Sequence, residues 1–125
     1  MTIRIFKCGV CGNVDVETVN GGGVRSCCGK PMIQLNANST EAATEKHIPV
    51  IQRNGDQVQV SVSTVAHPMT KEHWINFIVL VQGSGFQVCS LTPEDEPVAV
   101  FTVKGNEPVT AYEYCNLHGL WMAEE

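Results

Sequence analysis

Four cysteines between positions 8 and 28 constrain this chain more than any other feature. Cys8-x-x-Cys11 is followed, after fifteen residues, by the doublet Cys27-Cys28. Two cysteines separated by two residues can wrap a tetrahedral metal, because the turn between them points both sulfurs inward. Glycine follows Cys8, Cys11 and Cys28. It lets backbone N–H groups turn toward the sulfurs and spread their charge. Four thiolates in a tetrahedron suit either zinc or iron. A structural zinc knuckle is the plainer reading, but such knuckles favour a second Cys-x-x-Cys over a doublet. Disulfides are not expected, since a bridge between neighbours such as Cys27 and Cys28 would be strained.

The cysteines also bound a folding unit, 1–37. A short strand, Ile3–Lys7, leads into Cys8, and Val14, Val16 and Thr18 alternate with Asp15 and Glu17 as a second strand. Gly21-Gly22-Gly23 then turns the chain back. So few apolar side chains remain that this unit needs a metal or a partner to stay folded. Residues 36–44 are small and polar and read as a linker. Beyond it the chain reads as β almost throughout. Strands are expected at Ile48–Arg53, Gln57–Ser63, Ile75–Gln82, Phe86–Leu91, Val98–Lys104 and Val109–Cys115, with Leu120–Ala123 as a seventh. A hairpin turn is expected at Asn54-Gly55. Short strands at this spacing indicate an antiparallel sandwich. Trp74–Val81 is apolar at nearly every position, so both its faces are expected to be covered, a second subunit being one way to do it.

With 43% apolar residues the chain can build a core, and with 17% charged residues it has no disordered composition. The net charge is −5. Residues 38–125 hold four basic and eleven acidic groups, which argues against nucleic acid as a partner. An anionic substrate would need a local positive patch. No export signal precedes the first strand, and no apolar run is long enough to span a bilayer. A cytoplasmic protein away from membranes is the expectation.

A second set of donors lies in the larger part. All four histidines are there: His47 before Ile48-Pro49, His67 before Pro68, His73 before Trp74, and His118 in Cys115-Asn116-Leu117-His118-Gly119. Each stands beside a turn or a strand end, where loops on a rigid sandwich assemble sites. Pro68 keeps His67 extended. Cys115-x-x-His118 is a chelating spacing. Four imidazoles and a thiolate would make five ligands, which suits iron better than four-coordinate zinc and leaves a sixth position open.

Together the two sets resemble the desulfoferrodoxins, the two-iron superoxide reductases. Residues 8–32, with CGVCGN, GGG and CCGKPM, are similar to desulforedoxin and to the family's N-terminal domain. EKHIP (45–49), HPMTKEH (67–73) and CNLHGLW (115–121) are similar to the three active-site segments of its reductase domain. The resemblance implies an all-β fold, a small desulforedoxin-like metal-bound domain (1–37) followed by an immunoglobulin-like antiparallel sandwich (38–125). It implies two irons per chain. Cys8, Cys11, Cys27 and Cys28 would hold centre I, where zinc can replace iron. His47, His67, His73, His118 and Cys115 would hold centre II. Glu45 would cap the ferric resting state and Lys46 would sit beside the open position. The implied activity is one-electron reduction of superoxide to hydrogen peroxide. The implied partners are a rubredoxin-like electron donor and a second copy of the chain.

Other residues receive plainer readings. Lys71, Glu72 and the run Glu94-Asp95-Glu96 are solvated charges. Cys89 is a buried, inert thiol. Trp74 and Trp121 are packing walls. Structural zinc, simple electron carriage and dismutation compete with reduction. A carrier would leave the histidines and Cys115 idle.

Overall fold

The computed structural model of the chain describes residues 2–39, 46–62 and 67–125. They form two compact units, Thr2–Asn36 and Ala37–Glu125. No α-helix occurs among the described residues.

In the small unit, β1 (Arg4–Lys7) pairs antiparallel with β2 (Val14–Glu17) and with β5 (Ile33–Gln34). The loop between β1 and β2 is the first cysteine knuckle, closed by Cys8 N–H to the Asn13 carbonyl at 2.8 Å. Two very short strands that periodicity could not reveal, β3 (Ser26–Cys27) and β4 (Lys30–Pro31), form a separate hairpin. Its two turn residues, Cys28 and Gly29, both have positive φ, 54° and 76°. That is the signature of a type I′ turn, which demands left-handed backbone at both central positions. The cysteine doublet thus makes a tight hairpin, with one sulfur at the end of a strand and the other in the turn. The apolar core of this unit is Ile3, Ile5, Phe6 and Cys8. Arg4 and Arg25 both lie 5.0 Å from the Phe6 ring centre and both ion-pair with Glu17.

The large unit is a sandwich. One sheet has the order β10-β7-β6, from β6 (Pro49–Asn54), β7 (Gln57–Val62) and β10 (Val98–Thr102). The other has the order β12-β11-β8-β9, from β8 (Ile75–Gln82), β9 (Gly85–Ser90), β11 (Val109–Cys115) and β12 (Gly119–Glu124). All pairings are antiparallel. Period-2 alternation sends Val58, Val60 and Val62 inward against Ile78, Leu80, Val109 and Ala111. Asn54 pairs with Gln57, so the β6–β7 turn is Gly55-Asp56, one residue later than expected, with Gly55 at φ 65°. Glycine first in a two-residue hairpin loop satisfies the required left-handed backbone. Ser63, expected to end β7, lies outside the described residues.

Two further expectations are refined. Val79 and Val81 on β8 are buried within a single chain, so their apolar character needs no second subunit. Part of the expected linker is tied down. Asn38 gives its backbone N–H to the Leu120 carbonyl, and its side chain bonds the Met122 carbonyl and N–H.

Candidate metal centres

The ends of four sandwich strands converge to carry the second donor set. Pro49 pairs with Val62, and Ile75 with Cys115. His47 and His73 stand just before β6 and β8, Cys115 ends β11, and His67 follows β7 in the sequence. His118 comes from the β11–β12 hairpin. Cys115 pairs directly with Gly119 across a three-residue loop, and Gly119 has φ 83°. A three-residue hairpin ending in left-handed glycine is a favoured connection. It sets Cys115 Sγ 3.8 Å from His118 Nδ1.

One donor atom from each of His47, His67, His73, His118 and Cys115 lies within 4.8 Å of all the others. Edge-on ring contacts run from His47 to His67, His73, His118 and back to His47, with centroids 4.6–5.0 Å apart and interplanar angles of 75–83°. The imidazoles thus form a closed ring, each turned across its neighbours. His47 Nε2 and His118 Nδ1 are 3.0 Å apart. The Nε2 atoms of His67 and His73 are buried with no hydrogen-bond partner. Unpaired buried nitrogens aimed at one point, beside a thiol, are the arrangement a metal satisfies. His67 Nδ1 lies 2.7 Å from the Pro68 carbonyl. As donor there it leaves the Nε2 lone pair free for a metal.

Burial shapes the electrostatics. His67 is lowered to about 4, first by burial, against the opposing Pro68 contact, and further by its histidine neighbours. His73 is lowered by burial, then by His118, His47 and Lys46. Both rings are held neutral, the form that ligates. Burial raises the Cys115 thiol, while backbone N–H groups of Leu117 and His118 pull it down. Lys46, exposed next to His47, is a positive side chain that acts on the His73 ring. Glu45 lies outside the described residues.

Sequence reasoning passed over two residues here. Asn116 accepts from Trp74 N–H at 2.9 Å and donates to the Glu72 carbonyl at 2.9 Å. It stitches the loop holding His118 to the loop holding His73. Its place between Cys115 and His118, in a turn, was the available signal. Glu113 is 0% exposed, cross-strand from Ile78 and Trp121, with neither oxygen hydrogen-bonded. Burial pushes its carboxyl up to about 9. A lone glutamate in an alternating strand reads as solvent-facing until the register is known. Trp121 is a wall as expected, buried, stacked on His47 at 5.0 Å and donating to the His118 carbonyl. Trp74 is half-buried. Cys89 is only partly buried, so its expected full burial does not hold, though it packs against the core.

The four sulfurs of Cys8, Cys11, Cys27 and Cys28 form the other cluster, again within 4.8 Å of one another. Cys8 is buried, Cys27 half-buried, and Cys11 and Cys28 exposed. Cys8 Sγ accepts from the N–H groups of Val10 and Cys11, both at 3.4 Å, and Cys11 Sγ from Asn13 N–H at 3.5 Å. Those of Cys11 and Val10 lower the Cys8 thiol to about 6. Crowding does the reverse to Cys27, raised to about 12, first through Cys8 and then Cys11. Cys28 is also raised, first through Cys11. Four thiolates this close need a cation among them.

The family model described as Desulfoferrodoxin matches residues 39–124, and that of the desulfoferrodoxin N-terminal domain matches 1–35. The chain is 46% identical to the desulfoferrodoxin of Syntrophotalea carbinolica, over 98% of this chain and 96% of that one. It is 36% identical to the superoxide reductase of Pyrococcus horikoshii, over 74% and 96%. Its fold is similar to the crystal structure of the superoxide reductase from Treponema pallidum, with a TM-score of 0.82, 32% identity, and 98% and 99% of the two chains covered.

Proposed function

The chain belongs to the desulfoferrodoxin family, and we infer that it is a superoxide reductase. Each turnover joins one superoxide, one electron and two protons to give one hydrogen peroxide. The observation that carries this reading is the closed ring of four imidazoles beside a buried thiol. The two clusters fit the two iron centres of this family. The four-cysteine group would hold centre I and the five-donor group centre II, through Nε2 of His47, His67 and His73, Nδ1 of His118 and Sγ of Cys115. Iron held by the five-donor site would supply the reducing electron to the substrate.

The chain's own residues do the rest. Lys46 draws the superoxide anion to the mouth of the site, against the acidic field of the sandwich. Its ammonium donates a hydrogen bond to the product as charge develops. Leu117 and His118 N–H groups temper the Cys115 sulfur. Trp121 covers His47 and excludes water on that side. Glu45, outside the described residues, would cap the site between turnovers, as the family resemblance implies. The small unit is the desulforedoxin-like domain and the large one the reductase domain.

Electrons come from a rubredoxin-like donor in the cytoplasm. A second copy of the chain covers the apolar surface that the small unit exposes at Val10, Val19, Val24 and Ile33. Light scattering gives the mass of the assembly directly, and a monomer would end the dimer reading.

The deciding experiment is peroxide yield with an electron donor present. Reduction gives one peroxide per superoxide consumed, whereas dismutation gives half of that. A yield of one half would replace the reductase by a dismutase. Metal analysis on the same sample assigns iron, or zinc in the four-cysteine site.

A further inference from the structure

The four sulfurs of the small unit are not equally served by hydrogen-bond donors. The Cys-x-x-Cys knuckle supplies its own, two backbone N–H groups on Cys8 and one on Cys11. The doublet has no such spacer. Its chain is spent on the type I′ turn at Cys28-Gly29, and no backbone N–H reaches Cys27 or Cys28 sulfur among the described residues. One side chain partly repairs this. Asn13 Nδ2 lies 3.7 Å from Cys27 Sγ, while the Asn13 backbone N–H bonds Cys11. A metal-bound thiolate accepts hydrogen bonds and donates none, so the amide nitrogen, not the oxygen, must face it.

We propose that the Asn13 side-chain amide is a positioning residue for centre I that holds its reduction potential up through a hydrogen bond to Cys27. The proposal rests on the reading of the four-cysteine site as an iron centre. Reduction adds one electron to the four-thiolate group and neither makes nor breaks a bond to the protein. The reduced group carries one more negative charge, which spreads onto the sulfurs. An N–H donor on a sulfur therefore favours the reduced form. Asn13 is exposed, so its replacement leaves the small core of Ile3, Ile5 and Phe6 untouched.

The test is a redox titration of the whole iron-loaded chain, followed by the visible thiolate-to-ferric absorption, for wild type, Asn13→Leu and Asn13→Ala. Both replacements remove the amide and keep the backbone donor to Cys11. The expected result is a lower potential in both. The ratio of reduced to oxidised centre I at a fixed applied potential should fall by about tenfold, which is about 59 mV for a one-electron couple. The iron–sulfur stretching frequencies should rise as the Cys27 bond shortens. An iron-loaded variant with unchanged potential overturns the proposal and leaves the iron reading standing. A wild-type chain that takes no iron at this site overturns the iron reading and the proposal with it.

Discussion

At the scale of single residues, charge and hydrogen bonding decide function more than packing does. Lys46 is exposed, yet its charge reaches the His73 ring. Lys46→Met should slow superoxide capture by about tenfold, with a weaker salt dependence, because local charge steers an anion. Pulse radiolysis at two ionic strengths measures this, and unchanged iron spectra would show that the ligands are intact. Asn116 is a different case, since it touches no donor atom but joins the two loops that carry His73 and His118. Asn116→Ala removes both bonds and should cost about 1–2 kcal/mol. Centre II should then hold less iron at a given free concentration, read by metal analysis after dialysis. Neither role is legible from composition. Lys46 draws notice only because it precedes His47, and Asn116 only once the two loops are seen to touch.

At the scale of elements, two hairpins do the work of ligand placement. The β3–β4 turn accepts a left-handed Cys28 so that the doublet can present both sulfurs. The β11–β12 loop needs left-handed backbone at Gly119. Gly119→Ala places a Cβ in that conformation at a cost of roughly 1–2 kcal/mol. Because Cys115 and His118 both depend on this loop, the variant should lose centre II iron as well as stability. Urea unfolding and iron content, measured together, check this. A stability loss with full iron occupancy would mean that the loop tolerates the change without moving its donors. The alternation in β7 and the turn residues announce most strands in advance. The two-residue strands β3 and β4 escape, because two residues carry no period.

At the scale of the whole molecule, the two units hold together for different reasons. The small unit has only four buried apolar side chains, one of them the candidate ligand Cys8. Its stability is therefore largely metal binding. Removing metal with a chelator should abolish its fold while the sandwich keeps its β signal, so hydrogen exchange should be fast through 2–36 and slow through β7, β8 and β11. The sandwich carries its own core and, at the end opposite the histidines, an ionic clasp. Arg53 bonds Glu125 at 2.6 and 2.8 Å and also the carbonyls of Gly105 and Glu107. Arg53 lowers the Glu125 carboxyl below its usual range. The unfolded chain then binds that proton more readily than the folded one, so stability is lost as pH falls through the lowered folded value. Glu125→Gln should flatten this acid dependence while changing little at acidic pH, as urea midpoints at neutral and acidic pH would record.

The chain's own order of residues determined the donor types, their chelating spacings and the β character, because each is a property of a few neighbouring positions. The nine candidate donors could be named, and they stand in two clusters. Only the tertiary structure decided how they meet. Four imidazoles from separate loops close into a ring because the β6–β7 and β8–β11 registers bring those strand ends together. The approach of His118 Nδ1 to His47, the inward turn of Glu113 and the reach of Asn13 to Cys27 likewise depend on partners outside the local segment. Local spacing sets which atoms can bind a metal, and long-range register sets whether they face the same point.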